Sequence, residues 1–174
     1  PSTLTTIGRS AFYNCSGFTG SLVVPEGVIS VGDSSASESW DGAFYGCSGF
    51  TGSLTLPSTL TKIGSYGFSG CSGFSGSLVI PEGVTTIGGW AFGHCSSFTG
   101  SLTIPEGVTT IGFGAFQACR GFTGTLTLPS TLITIGVNAF CGCCGFTGTL
   151  VIPEGVTTIV GGAFRGCSVF SGLT

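Results

Sequence analysis

Hydrophobic residues fall in eight columns along this 174-residue chain, and each column returns with a period set by seven prolines. Pro1, Pro25, Pro57, Pro81, Pro105, Pro129 and Pro153 are 24 residues apart, except for one step of 32. Ahead of each later proline, a leucine (Leu22, Leu54, Leu78, Leu102, Leu126, Leu150) is followed two residues on by Val24, Leu56, Ile80, Ile104, Leu128 or Ile152. Residues two apart on a strand share a face, so S-L-T-I predicts a short strand with its aliphatic side chains inward and Ser and Thr outward. The proline ends that strand. A Val/Leu column (from Leu4 to Val156) and an Ile column (from Ile7 to Ile159, with Val31 in the second coil) come next. Glycine follows the Ile column in six coils and predicts a turn there. Val160 replaces it in the seventh, where a different turn is expected. A column of Ala or Gly precedes two phenylalanine columns, from Phe12 to Phe164 and from Phe18 to Phe170. Between these runs Cys15, Cys47, Cys71, Cys95, Cys119, Cys143 and Cys167.

A fixed period in this range marks a solenoid in which each repeat is one coil. The predicted fold is a repeat solenoid of leucine-rich-repeat type, a right-handed coil with one parallel β-sheet face and little or no regular helix. Residues 1-174 read as a single domain of about seven 24-residue coils, starting near 1, 25, 57, 81, 105, 129 and 153. The long step is an insertion at 33-40 in coil two.

Composition narrows the function. Only 6% of residues are charged, 41% are hydrophobic, 33 are glycine and the net charge is −3. The apolar residues are strictly periodic and read as core. No apolar run approaches the roughly 18 residues that span a bilayer, so membrane insertion is not expected. Arg9, Lys62, Arg120 and Arg165 are scattered over separate coils, without the basic stripe that nucleic acid requires. Glu26, Glu82, Glu106 and Glu154 share one slot after proline, and this single-sign row is expected to be solvated.

The core I-P-x-x-V-T-x-I-G-x-x-A-F-x-x-C-x-x-F is legible as Ile104-Pro105 through Ile111-Gly112, Ala115-Phe116, Cys119 and Phe122. It resembles the BspA-like (Treponema pallidum-type) leucine-rich repeats over essentially the whole chain. The resemblance implies a surface or secreted protein associated with adhesion. The recurring G-F-T-G-S/T-L segment departs from that pattern.

The cysteine column reads as buried thiols acting as small hydrophobes. Cys141 and Cys144 lie outside it and are expected to face outward, as a disulfide or as two free thiols. C-G-C-C at 141-144 lacks the second ligand cluster of a zinc site, so no metal or other cofactor is expected. His94 occupies a variable outward slot with no Ser/His/Asp set around it, and an enzyme is not expected. In the insertion, Asp33, Ser35 and Ser37 spell a D-x-S-x-S metal-adhesion motif in the wrong structural context. Asp33, Glu38 and Asp41 are the residual calcium candidates.

Trp40, Tyr66, Trp90 and Phe113 are expected on adjacent coils. They read as loop-covering aromatics or as a stacking strip for sugar rings or another chain. Outward Ser, Thr and Val beside the S-L-T-I leucines suggest a second surface, of ice-binding type. Asn14-Cys15-Ser16 is a formal N-glycosylation sequon, weakened because Cys15 and its neighbours are expected to be buried. Neither end carries a polar cap, which predicts a piece of a longer solenoid or end-to-end stacking on other copies. Together these features predict a non-enzymatic extracellular or cell-surface solenoid, acting in adhesion or as a structural scaffold. Its partners would be other copies of itself, or extracellular protein or glycan. The alternative is a glycan- or ice-binding module.

Overall fold

The computed structural model describes residues 3–32 and 41–174. They form a parallel β-solenoid of about seven coils, and no helix occurs among the described residues. One continuous seven-stranded parallel sheet is built from Thr6–Ile7, Ser30–Val31, Lys62–Ile63, Thr86–Ile87, Thr110–Ile111, Thr134–Ile135 and Thr158–Ile159, in chain order. Its register is the sequence period itself, as in Ile111 beside Ile87 and Ile135 beside Ile111.

The sheet therefore lies on the T-x-I segment and not on S-L-T-I, where the sequence pattern placed it. The S-L segments pair only two by two: Leu22–Val23 with Leu54–Thr55, Leu102–Thr103 with Leu126–Thr127, and Thr149–Leu150 with Gly172–Leu173. A third face is made by the A-F corner, where Phe44, Phe68, Phe92, Phe116 and Phe140 each donate N–H to the next coil's Ala or Gly carbonyl at 2.8 Å. Two of the three faces thus carry an unbroken ladder.

Three of the glycines after the Ile column, Gly88, Gly112 and Gly136, are needed for close approach. A β-carbon on Gly112 would lie 2.5 Å from the Gly88 carbonyl carbon, and one on Gly136 2.8 Å from that of Gly112. Val160, in the last coil, is packed by a neighbour on one side. Its N–H still donates to Ile135 O at 2.9 Å, as Gly136 does to Ile111 O. The expected different turn does not occur.

The core is filled by the predicted columns. Phe44 to Phe140 and Phe50 to Phe146 are buried throughout, with the aliphatic columns packed on them. Successive rings of the first phenylalanine column stack near-parallel with centroids 4.9 to 5.5 Å apart, the offset geometry that aromatic quadrupoles prefer. The cysteines explain themselves here. Each thiol donates to the carbonyl of the phenylalanine in the preceding coil, from Cys47 Sγ on Phe12 O at 2.9 Å to Cys167 Sγ on Phe140 O at 3.2 Å. Cysteine is small enough for this slot and adds a weak donor that alanine lacks.

Candidate functional site

The aromatic strip is assembled, though differently from the sequence reading. Trp40 lies outside the described residues. Tyr66 and Trp90 stack with centroids 6.4 Å apart, and Phe113 meets Trp90 edge-on at 5.6 Å. The strip also takes in Tyr13, Tyr45 and His94, which the sequence reading did not join to it. Tyr13 stacks on Tyr45, Tyr45 meets Tyr66 edge-on, and His94 stacks on Trp90. The missed signal was Tyr13 and Tyr45 one residue after the conserved A-F pair of their coils.

Tyr66, Trp90 and His94 have φ of 56°, 56° and 62°. This is the left-handed region, where a bulky residue is strained by about 1–3 kcal/mol. The equivalent slots elsewhere hold Ser10, Gly114, Asn138 and Gly162, or Asn14, Gly46, Gly70 and Gly166. The aromatic side chains offset that strain by packing. A β-carbon on Gly93 or Gly114 would overlap the Trp90 indole, so the ring lies against both glycines. Tyr66 and Trp90 are half-buried and Phe113 is 47% exposed. Burial raises the Tyr66 hydroxyl above its ordinary range, with neighbouring Tyr45 adding to the effect. The strip is a self-packed ladder more than an open platform.

Burial disfavours the thiolate form along the cysteine column from Cys47 to Cys167. Burial pushes Cys119 up to about 12 and Cys167 up to about 11, and raises Cys47, Cys71, Cys95 and Cys143 as well. All nine cysteines are free, with Cys141 half-buried and Cys144 exposed. Among the described residues no group of three His, Cys, Asp or Glu side chains is placed to hold a metal. Asp33 and Glu38 lie outside the described residues, and Asp41 forms an ion pair with Arg9. Asn14 is exposed, with φ 55°.

The glutamate row is not uniformly solvated. Glu26 accepts from Ser58 N–H and Oγ–H, each at 3.1 Å. Glu106 accepts from Ser130 N–H at 3.0 Å and from its hydroxyl at 2.9 Å, which holds the Glu106 carboxyl below the usual range. Beside each clamp a threonine ties the same two coils: Gly27 N–H donates to Thr59 Oγ1, and Gly107 N–H to Thr131 Oγ1. P-E-G coils are therefore clamped when a P-S-T coil follows. Where this happens, the S-L segments just ahead of the two prolines are also the paired ones. Pro81 begins a P-E-G coil followed by another, so Glu82 faces Glu106 in register and has no serine to clamp. Beside it opens a cleft of about 210 Å³ lined by Ser77, Leu78, Val79, Ile80, Glu82, Ser101 and Thr103.

No functionally curated protein matches the sequence. The family model described as a BspA type leucine rich repeat region matches six copies, over residues 1–39 and 40–171. Among solved structures, a leucine rich cell surface protein from Faecalibacterium prausnitzii is 32% identical, with a TM-score of 0.80. A leucine-rich repeat protein from Bacteroides ovatus is 28% identical, also at 0.80. The alignments cover 98% of this chain but only 42% and 41% of those two. A T. pallidum leucine rich repeat protein is 28% identical, at a TM-score of 0.77 over 96% of this chain and 74% of its own. Solenoids of this kind are generally binding or scaffold modules. The repeat pattern, the coil geometry and these likenesses agree: the chain belongs to the BspA-type leucine-rich repeat family.

Proposed function

We propose that this solenoid is an extracellular, cell-surface scaffold that presents its coil faces for adhesion and does no chemistry of its own. The observation that carries this reading is the likeness, over 98% of the chain, to a leucine rich cell surface protein. It is supported by a scaffold stiffened through two unbroken hydrogen-bond ladders and a continuous phenylalanine core. Buried thiols held protonated fit a structural use of cysteine. Partners are extracellular protein or glycan, or further copies of the solenoid.

The test is retention of the purified solenoid on arrays of matrix proteins and glycans, beside light scattering over a concentration series. Saturable retention with a constant particle mass supports the adhesive scaffold. Rods that lengthen with concentration support stacking. A monomer inert on every surface overturns both.

A further inference from the structure

We propose that the cleft between residues 77–80 and 101–103 is a binding site for one sugar ring of a glycan, with Glu82 as its anchoring acceptor. The inference deepens the adhesive reading by naming a ligand class and a place for it. It rests on a cleft at one of three steps where the S-L segments stay unpaired, the others being 54–56 against 78–80 and 126–128 against 150–152; only at this one do two glutamates stack. In the first pair of S-L segments, Leu22 N–H donates to Ser53 O at 2.9 Å and Val24 N–H to Thr55 O at 3.0 Å. Leu102 and Ile104 repeat this with Thr125 and Thr127. By the same register, Leu78 and Ile80 N–H should donate to Ser101 and Thr103 O. Neither bond forms, and among the described residues no backbone bond joins 77–80 to the coil on either side. Leu78 and Ile80 are themselves buried. At an open cleft these backbone groups are left to water, which the hydroxyls of a ligand would replace.

The groups around the cleft define what would fill it. Two N–H groups call for an acceptor. Two carbonyls and the Glu82 carboxylate, which forms no hydrogen bond or ion pair of its own among the described residues, call for donors. A hydroxyl does both, and a sugar ring carries several. An ammonium group only donates and would leave the N–H groups unmet. The Ser77, Ser101 and Thr103 side chains line the walls, and Leu78 and Ile80 the floor. Val79, 68% exposed at the rim, offers an apolar contact for the C–H face of a ring.

The experiment is an amide-resolved NMR titration of the folded solenoid with the methyl glycosides of glucose, galactose and mannose and with N-acetylglucosamine. At least one should saturably shift the amides of Leu78, Ile80 and Ser101. Glu82→Gln removes a side chain that forms no bond, so the fold should persist while affinity falls about tenfold, the effect of one lost charged hydrogen bond. A second variant, Glu106→Ser with Gly107→Thr, gives Glu82 a serine to clamp. It should draw the two segments into pairing and abolish the shifts. If no glycoside shifts these amides, or if Glu82→Gln binds as well as the native chain, the proposal fails. It also fails if N-acetyl-lysine amide shifts them and the sugars do not. Adhesion to matrix proteins that survives Glu82→Gln would leave the scaffold reading standing and remove this site.

Discussion

The Thr–Ile sheet and the S-L face sit on the same coils and share one period, yet the first is continuous over seven strands and the second is broken into pairs. The difference follows from what each coil offers its neighbour. Every coil presents T-x-I or a close equivalent, so each Thr–Ile step is chemically the same. The residues after the proline alternate irregularly between E-G and S-T, so steps on the S-L side differ. Where E-G precedes S-T, a carboxylate ties the coils and the strands ahead of them pair. Where E-G comes second the strands ahead do not pair, and where both coils carry E-G two carboxylates are also stacked beside a cleft. Like charges on adjacent coils repel. A solenoid can thus keep its pitch on one face while leaving openings on another.

Amide hydrogen exchange should show this contrast with the largest effect. Amides at Ile87, Ile111 and Ile135 should exchange only through near-global unfolding, whereas Leu78 and Val79 should exchange orders of magnitude faster. Equal protection on the two faces would remove the comparison. Mutational cost comes next. Ile111→Ala empties a fully buried slot beneath the continuous sheet and should cost about 2–5 kcal/mol in urea denaturation. Val79→Ala, on the open face, should stay within about 0.5 kcal/mol. Glycine gives a finer version. Gly112→Ala drives a β-carbon into the backbone of Gly88 and Gly89 and should cost about 3 kcal/mol. Gly100, on the S-L side, has φ +78° and nothing within 4 Å of the added carbon. Gly100→Ala should cost only the left-handed backbone, about 1 kcal/mol.

What was legible in the sequence was whatever repeats without exception. The coil count, the core columns and the parallel stacking follow from the period, because a repeat in register must place like residues over like. Sheet placement did not follow. S-L-T-I alternates cleanly and T-T-I-G does not, but pairing depends on whether adjacent coils agree, and every coil offers T-x-I or a near equivalent such as Ile29-Ser30-Val31 or Ile133-Thr134-Ile135. The chain turns after Gly112 as the sequence predicts, with Ala115 N–H donating to Gly112 O, but its close approach to Gly88 was not legible because that is a property of two coils at once. The aromatic strip was half legible. Tyr66 and Trp90 share a slot and were joined, whereas Tyr13 and Tyr45 share a different slot, one residue after the A-F pair, and His94 reaches Trp90 through a left-handed corner that no local pattern announces. The Glu82 cleft was missed because its cause is the order of two coil types, which an averaged repeat erases.

The smallest expected effect separates the two kinds of glutamate. Glu106 is held below its usual range by the Ser130 N–H and hydroxyl, so its ionised form is favoured by folding. A carboxyl with a depressed folded-state value contributes stability that is present above its unfolded value, about 4.3, and lost as pH falls through the folded one. Glu106→Gln should therefore lower Tm slightly at pH 7, and the gap from the native chain should close at pH 3. Glu82 has no partner among the described residues, so Glu82→Gln should leave Tm unchanged at both values. If Glu106→Gln behaves like Glu82→Gln, the carboxylate is a bystander. The pairing of the S-L strands ahead of Pro105 and Pro129 would then have to come from the Thr131 bridge to Gly107 alone. Thr131→Val would show that by opening the same step.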